Sequence, residues 1–374
     1  VAHGSSRVMA TSASGGQAIG FAAAQCITQN ISPADILQPA EMKILQQTIN
    51  IAGQSVPGVP INQSGNLAAT AKIKASSTLS LDEIPFDGEW YRLGFSAAQL
   101  LPLVANQSYF FEIEADADVD TVLDAELRYS HKVANYTPDC ILESKAITLK
   151  KGKQKVCIRF DKGVPFNQYG FISFIKNEKV KIRTSNFRST GILSVFNQFN
   201  YAVNNHGKQV APEGSGIESF EFWCPERRPK GHNFAMKINP PINSFGAKNL
   251  VNGFIRPNNE ANAWIASPQE KSPLLTLEWD NPQEIKSIIL YFDNDYDHAL
   301  ESVQMGHPEN IMPFCIREYR IMDDKGNIIY ATQNNHQTIN KIELAGKVET
   351  QSITIEVKAP VEDVPASLFG ICIR

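Results

Sequence analysis

A helical period of apolar residues occurs only near the start of the chain. Met42, Leu45 and Ile49 fall on one stripe of residues 39–52, and Gly53 follows as a stop signal. Two prolines and a glycine then occur close together before residue 61, which is typical of a linker or a strongly bent loop. The pattern predicts a helix that ends near residue 52 and a different architecture beyond it.

Two further helices are predicted upstream of this one. The first runs from Gly16 to about Ile27 and carries small residues at intervals of four, which permit close backbone approach. The second begins at Ser32-Pro33, because serine is a good N-cap and proline a good first helical residue. Three short helices bury too little apolar surface to offset their chain entropy, so residues 1–58 need a packing partner elsewhere.

From residue 66 onward the apolar period changes to two. Short alternating segments bounded by turn signals are typical of antiparallel strands. Their inward positions are predicted to be Tyr109, Phe111, Ile113 and Ala115; Leu123, Ala125, Leu127 and Tyr129; Val156, Ile158 and Phe160; Ile172 and Phe174; Val180 and Ile182. The spacing predicts a first β-sandwich or jelly roll over residues 59–205.

A second β unit is predicted at the end of the chain. Residues 206–240 contain four prolines and are interpreted as a connecting arm with one strand at 220–223. Residues 241–374 alternate again, with predicted strands at 275–279, 288–292, 319–321, 328–330, 342–344, 353–357 and 369–373. The predicted fold class is therefore mainly β, with two antiparallel β-sandwich domains preceded by a small α-helical segment.

Composition and charge narrow the classes of partner. The chain has 35 Lys and Arg residues against 39 Asp and Glu residues, a formal net charge of −4, and these charges are spread along its 374 residues. No basic face is available to neutralise phosphates, so a nucleic-acid partner is not expected. The longest apolar run is about ten residues, half of the roughly 20 that a bilayer span requires, so no membrane span is predicted.

Motifs for metal and nucleotide chemistry are missing from the sequence. Six cysteines occur singly, without a spacing that holds zinc or an iron–sulfur cluster, so no metal site is predicted. They are interpreted as buried free thiols, with a Cys140–Cys157 disulfide as the alternative. The only GxG, Gly214-Ser215-Gly216, lies in the proline-rich arm with no helix behind it. The chain by itself is predicted to lack the machinery for redox catalysis.

The N-terminal residues nevertheless resemble the last FAD-domain motif of bacterial FAD-dependent oxidoreductases. The resemblance rests on the run from His3-Gly4-Ser5-Ser6-Arg7 to Ala24, and on Ser32-Pro33-Ala34-Asp35-Ile36 and Leu45 to Gly53. In that family the start of the helix points at the pyrimidine end of the flavin, where a helix N-terminus suits an anionic reduced flavin. The resemblance implies FAD as cofactor of the full-length protein and cofactor contacts from Arg7, Ser14, Gly15, Gly16 and Gln17.

The resemblance covers only the end of such an FAD domain. Its nucleotide-binding front end is missing here, which implies a truncated chain or a split gene whose partner is the missing N-terminal FAD-binding region. Arg7 and His3 lie where the family places residues around the substrate side of the ring. A salt bridge to the missing domain is the alternative for Arg7, and an exposed tail position is the alternative for His3.

Residues 241–374 resemble a discoidin-type sandwich, the fold of coagulation-factor type C domains and many carbohydrate-binding modules. The resemblance rests on Ala247-Lys248-Asn249-Leu250-Val251-Asn252-Gly253, on Asn262-Ala263-Trp264-Ile265-Ala266 and on the strand that ends in Leu277-Glu278-Trp279. It implies a binding or supporting module, and such appendages favour the periplasm or the cell surface of a bacterium.

The densest polar stretch follows Phe292. It is not an EF-hand, because His298 and Gln304 stand where that loop requires Gly and Glu. Members of the same oxidoreductase family carry segments similar to Met305-Gly306-His307-Pro308 and Asn335-His336-Gln337-Thr338. A ligand or interdomain role is therefore predicted for Asp295, His298, Glu301, His307 and His336, with a solvated loop as the alternative.

Three functions are compatible with these patterns. The leading hypothesis is the C-terminal region of an FAD-dependent oxidoreductase whose sandwiches pack on the flavin domain and help to bind substrate, and the small-residue face of Gly16, Gly20 and Ala24 favours it. The second is a carbohydrate-binding module without enzymatic activity, which would need Trp90, Tyr91, Trp264 or Tyr296 exposed together on loops. The third is an oligomerisation role for the β modules.

Overall fold

The computed structural model describes residues 9–132, 135, 137–197, 208–209, 213–214, 220–221, 223–225, 233–293 and 312–374. Its N-terminal part consists of helix α1 (Met9–Gln29), a 3-10 helix (Pro33–Leu37) and helix α2 (Pro39–Ile51). The chain leaves α2 through Gly53, whose φ of +98° lies in the left-handed region that glycine adopts without strain. The predicted helical part is confirmed, with α2 ending within one residue of the predicted position.

The three helices pack on one another around a very small core. Ile36, Leu45 and Ile49 are its buried members, and the Gln25 amide joins α1 to α2 by donating to the Glu41 carboxylate at 2.8 Å. Other large apolar side chains of the same helices point into solvent, among them Ile19 (71% exposed) and Ile27 (83% exposed). The helical segment therefore buries only one side of its helices against the described residues.

The first β-sandwich has two antiparallel sheets. The larger sheet contains β2 (Leu81–Ile84), β3 (Trp90–Leu93), β5 (Tyr109–Ala117), β8 (Gly152–Phe160), β10 (Asn177–Ser185), β15 (Asn233–Phe234) and β16 (Met236–Ile242). The other contains β4 (Ala97–Leu103), β6 (Thr121–Tyr129), β7 (Cys140–Leu149), β9 (Gln168–Phe174), β11 (Leu193–Phe196) and β14 (Cys224–Pro225). A separate ribbon pairs β12 (Lys208–Gln209) with β13 (Phe220–Glu221).

The alternation seen in the sequence produces the core of this sandwich. In β5 every second side chain, beginning with Tyr109, is buried, because successive side chains of a strand point to opposite faces. An aromatic cluster fills one end, where Phe234 contacts Tyr91, Phe174 and Phe196 at ring-centroid distances of 5.4–6.0 Å. The predicted first sandwich is confirmed as an antiparallel β fold.

The second sandwich is built on one six-stranded antiparallel sheet. It contains β1 (Lys72–Ala75), β18 (Leu274–Tyr291), β19 (Tyr319–Met322), β20 (Ile328–Thr332), β21 (Ile339–Val357) and β23 (Gly370–Ile373). A two-stranded ribbon of β17 (Trp264–Ile265) and β22 (Ser367–Leu368) packs on its core. The mainly β fold class with a small helical part is therefore confirmed.

The two longest strands of this sheet correct the sequence prediction. The segments 275–279 and 288–292 were expected to be separate strands, as were 342–344 and 353–357. Each pair is one continuous strand, β18 or β21, whose shared register shifts between Glu278 and Gln283 and again between Ile285 and Ser287. Pro282 lies at the first shift, where a bulge tolerates a residue that has no N–H to donate.

Residues 66–75 belong to the second sandwich, although they precede the first one in sequence. β1 pairs with β18 in antiparallel register from Lys72 opposite Glu278 to Ala75 opposite Leu275. Ala68 is fully buried in the core of the second sandwich. The predicted first sandwich, 59–205, therefore includes a strand that belongs to the sheet of the second one, because pairing across some 200 residues leaves no local signal.

The predicted connecting arm also needs a correction. Within 206–240, strands β15 and β16 are part of the larger sheet of the first sandwich, and Phe234 and Met236 are fully buried. The prolines of this stretch suggested a loop, yet Pro240 lies inside β16. Residues 233–242 complete the first sandwich, and the rest of the arm lies largely outside the described residues.

Residues of the C-terminal part contribute to the core of the first sandwich. Ala261, Ala263 and Ile265 of the C-terminal part belong to the same buried cluster as the first sandwich. The loop before β11 adds polar contacts, since Arg188 makes a two-point ion pair with Asp363 at 3.0 and 3.2 Å. These apolar and polar contacts join the two modules.

Candidate functional site

The predicted flavin contacts lie on helix α1. Ser14, Gly15, Gly16 and Gln17 are all exposed and lie inside the helix, which begins at Met9. The predicted helix start at Gly16 is wrong, because nothing in the preceding residues stops a helix and glycine weakens one without ending it. Arg7 and His3 lie outside the described residues.

The glycines of α1 have no packing role within the described residues. A Cβ placed on Gly15, Gly16 or Gly20 would meet no atom within 4 Å. Each glycine costs a helix about 1 kcal/mol relative to alanine. Among the described residues, no packing contact offsets the cost of these three glycines to the helix.

A groove lined by both polar and apolar side chains lies between the linker after α2 and the second sandwich. It contains a cavity of about 210 Å³ lined by Ser64, Lys341, Glu343 and Arg374 among others, and a smaller one of about 70 Å³ beside Gly53. Tyr291 lines both cavities. Burial raises the pKa of this tyrosine to about 12, so its hydroxyl stays protonated at neutral pH.

The linker beside this groove is fixed to both neighbours. Gln47 on α2 donates to the Pro60 carbonyl at 2.8 Å, and its side-chain oxygen accepts from the Asn62 N–H at 2.7 Å. The Ile61 N–H then donates to the Gly253 carbonyl of the second sandwich at 2.8 Å. The helical segment is thereby held at one edge of the groove.

The predicted polar loop is described only at its two ends. Asp295, His298, Glu301 and His307 lie outside the described residues, and so does Tyr296. At the start of the loop Asp293 is buried and accepts a hydrogen bond from the Thr190 hydroxyl at 2.7 Å. The Thr190 hydroxyl also contacts the Ser367 hydroxyl at 2.7 Å. The loop therefore leaves the second sandwich from a buried polar contact with the first.

His336 belongs to a turn whose neighbours, rather than the histidine itself, are buried. The ring is exposed, with its Nδ1 3.3 Å from the Asn334 carbonyl. Beside it, buried Asn335 donates to the Ile316 carbonyl at 2.7 Å and accepts from the Asn340 amide at 2.8 Å. Tyr319 closes the network by donating to the Asn340 side chain at 2.7 Å. These asparagines were not predicted to be buried, although Asn335 directly precedes the histidine that was singled out.

The thiol of Cys315 lies against this amide network and should be unreactive. Burial and, to a smaller extent, the Asp293 carboxylate raise its pKa to about 12, whereas Cys157 is an exposed free thiol. Because the thiolate is the nucleophile, we expect iodoacetamide at neutral pH to alkylate Cys157 roughly a hundredfold faster than Cys315 or more. Site-resolved mass spectrometry measures both rates. Equal rates in the folded chain would contradict this burial, and equal rates in urea are the control.

Cys26, Cys140, Cys157, Cys315 and Cys372 are free thiols, of which only Cys315 is buried. The alternative of a disulfide between Cys140 and Cys157 is therefore not found. Three aspartates also occur at alternate positions at the end of β5. Asp116, Asp118 and Asp120 form ion pairs with neighbouring basic side chains such as Arg92.

The aromatic residues proposed as a glycan platform do not form one. Trp264 is fully buried, and its indole N–H donates to the Ser77 carbonyl at 3.1 Å. Tyr91 packs on Phe196 with ring centroids 5.1 Å apart. The half-buried Trp90 ring is covered by the cations of Lys153 and Arg183, each 5.4 Å from its centroid. Because these three described aromatic rings are buried or covered by cations, they do not form a common exposed surface for a glycan.

Comparison with known proteins finds a family that the N-terminal residues are similar to. Residues 1–49 match the family model described as FAD dependent oxidoreductase, which confirms the resemblance inferred from the sequence. The match covers the helical segment and ends before the first strand. No curated protein matches the chain. FAD-dependent oxidoreductase is therefore the family to which residues 1–49 are similar.

Among solved structures, the similar chains include small carbohydrate-binding modules. The family 32 module of Streptococcus pneumoniae EndoD is 11% identical, with a TM-score of 0.27, and the match covers 35% of this chain and 86% of that one. The family 32 module of C. perfringens NanJ, solved with galactose, is 12% identical, with a TM-score of 0.26 and the same coverage. Chitosan-binding module 1 from Paenibacillus sp. IK-5 is 12% identical, with a TM-score of 0.25 and again the same coverage.

Among the described residues, no helix is long and apolar enough to cross a membrane.

Proposed function

We propose that this chain is the C-terminal region of an FAD-dependent oxidoreductase, and that its helical segment completes an FAD-binding domain formed with a preceding part of the protein. The observation that carries the proposal is the coincidence of the family match at residues 1–49 with a helix in which a Cβ at Gly15, Gly16 or Gly20 would meet no described residue within 4 Å. A flavin domain packed on α1 accounts both for these glycines and for the exposure of Ile19 and Ile27.

The residues present fit one edge of a flavin site. Open space above Gly15 and Gly16 allows a planar ring or a loop to approach the backbone, and Gln17 adds a side-chain amide at the same level of the helix. FAD, when bound, supplies the hydride chemistry, and this chain contributes positioning and electrostatics. A pyrophosphate cradle is not found among the described residues, so the proposal requires the preceding part for nucleotide binding.

The β modules have a supporting role in this proposal. The hydrogen bonds from Gln47 and Ile61 hold α2 against the second sandwich, and the groove with Lys341 and Arg374 opens beside it. This position supports the second part of the proposal, in which the sandwiches pack on the flavin domain and contribute to binding of a small organic substrate.

The flavin proposal is tested on the protein expressed from the complete open reading frame. That protein is expected to carry FAD, seen as visible flavin absorption after desalting. Gly16→Val is expected to weaken FAD binding about tenfold or more, because its branched side chain occupies the space that the flavin domain needs, and tenfold corresponds to about 1.4 kcal/mol. Titration of the apoprotein with FAD measures the affinity.

The matched control is Gly346→Val. Gly346 lies in β21, and a Cβ there also meets nothing within 4 Å. This variant should bind FAD like the unmodified protein. The proposal fails if the complete protein is colourless after titration with FAD, or if Gly16→Val and Gly346→Val bind FAD equally well.

A further inference from the structure

A cluster of three metal-binding side chains lies at the end of the β6–β7 hairpin, remote in sequence from the helical segment. Tyr129 is paired with Cys140 across the hairpin, and His131 and Asp139 lie beside the cysteine. One ligand atom from each of His131, Asp139 and Cys140 lies within 4.8 Å of the other two. The three donors therefore converge from both ends of one loop.

The types of donor match a borderline-soft dication. Zinc binds imidazole nitrogen, thiolate sulfur and carboxylate oxygen in tetrahedral geometry, with ligand atoms about 3.3–3.8 Å apart when bonds are about 2.0–2.3 Å. Small side-chain rotations would bring atoms within 4.8 Å to these separations. We propose that His131, Asp139 and Cys140 form a binding site for zinc or a similar transition-metal ion, with one coordination position left for water or another donor.

A plain ion pair accounts for only part of this arrangement. The His131 ring nitrogen contacts the Asp139 carboxylate, whose other oxygen accepts from the His131 backbone N–H at 3.1 Å. Cys140 lies against the same pair, since its thiol is in hydrogen-bond contact with the Tyr129 hydroxyl, the Asp139 carboxylate and the His131 backbone. A loop held by an ion pair needs only His131 and Asp139. The thiol beside this pair is the feature that indicates a metal site.

The proton balance of binding follows from the thiol. Metal binding forms the metal–sulfur bond as the S–H bond of Cys140 breaks, and its proton passes to water. One thiolate and one carboxylate then neutralise the charge of the dication.

Cobalt titration of the reduced full chain tests the site directly. Co²⁺ is expected to bind with one ion per chain and to give the near-ultraviolet charge-transfer band of a cobalt–thiolate bond, which zinc then removes by competition. Cys140→Ser should abolish the band. His131→Gln leaves the thiol in place and should weaken binding on the order of a hundredfold, since even outer-shell partners of metal sites are worth about 10- to 100-fold.

The chain offers matched controls for both ligands. Cys157 is an exposed free thiol and His336 an exposed histidine, and neither belongs to the cluster. Cys157→Ser and His336→Gln should bind cobalt as the unmodified chain does, and circular dichroism establishes that each variant is folded. The site is refuted if no charge-transfer band forms, if folded Cys140→Ser keeps it, or if His131→Gln binds as tightly as His336→Gln.

Discussion

Replacement of Trp264 by alanine is expected to lower the free energy of unfolding by about 3–5 kcal/mol. This loss approaches the upper end of the range for single substitutions. The side chain is fully buried in the core of the second sandwich, and removal of a buried aromatic side chain loses transfer free energy and leaves a cavity. The Ser77 carbonyl would lose its indole donor as well. Urea unfolding followed by circular dichroism measures the change.

Phe166→Ala is the control for this prediction. Phe166 is 72% exposed, so its loss should change the free energy of unfolding by no more than about 0.5 kcal/mol. A glycan platform at Trp264 predicts the opposite result for Trp264→Ala, with unchanged stability and lost glycan binding. The unfolding curves therefore separate a core tryptophan from a ligand-binding one.

Replacement of Asn66 by alanine is expected to cost about 2–4 kcal/mol, although the residue is small and polar. Its buried amide donates to the Ile371 carbonyl at 2.9 Å, and its oxygen accepts from the N–H groups of Ile373 and Ala68 at 2.9 and 3.0 Å. Alanine leaves these backbone groups buried without their partner, and each such group costs about 1–3 kcal/mol. Denaturant unfolding measures this loss.

Asn66→Asp and Asn243→Ala complete that experiment. The aspartate keeps the acceptor for Ile373 but loses the donor to Ile371, and it brings a charge into a buried position, so it should also be strongly destabilising. Asn243 is exposed and donates to Pro241 at 3.3 Å, so its loss should have little effect. If Asn66→Ala is as stable as Asn243→Ala, Asn66 does not link the start of the β region to the last strand.

The sequence predicted the strands that depend on local alternation. β5, β6, β8 and β9 were each expected from apolar residues at every second position, and the structure buries those residues almost without exception. Helix α2 was likewise predicted from one apolar stripe and a glycine stop. Such elements are predictable because the period of side-chain directions is a property of the local backbone.

Candidate sites were less predictable than strands. The helical resemblance located Gly15, Gly16 and Gln17 on one helix, but the helix begins at Met9 rather than at Gly16, since glycines weaken a helix without defining where it begins. The buried asparagines beside His336 and the contact between Thr190 and Asp293 were not predicted. The residues that neighbour a polar side chain in the sequence do not indicate whether that side chain will be buried.

By itself, the sequence determined the mainly β class, the helical start, the period of most strands and the resemblance of the first residues to an FAD-dependent oxidoreductase. Only the tertiary structure assigned residues 66–75 to the second sandwich, joined the paired segments of β18 and β21, and brought His131 beside Cys140. The physical reason is the range of the interactions. Periodicity is encoded within a few neighbouring residues, whereas strand pairing and donor clusters depend on closing long loops, whose partners the local pattern does not specify.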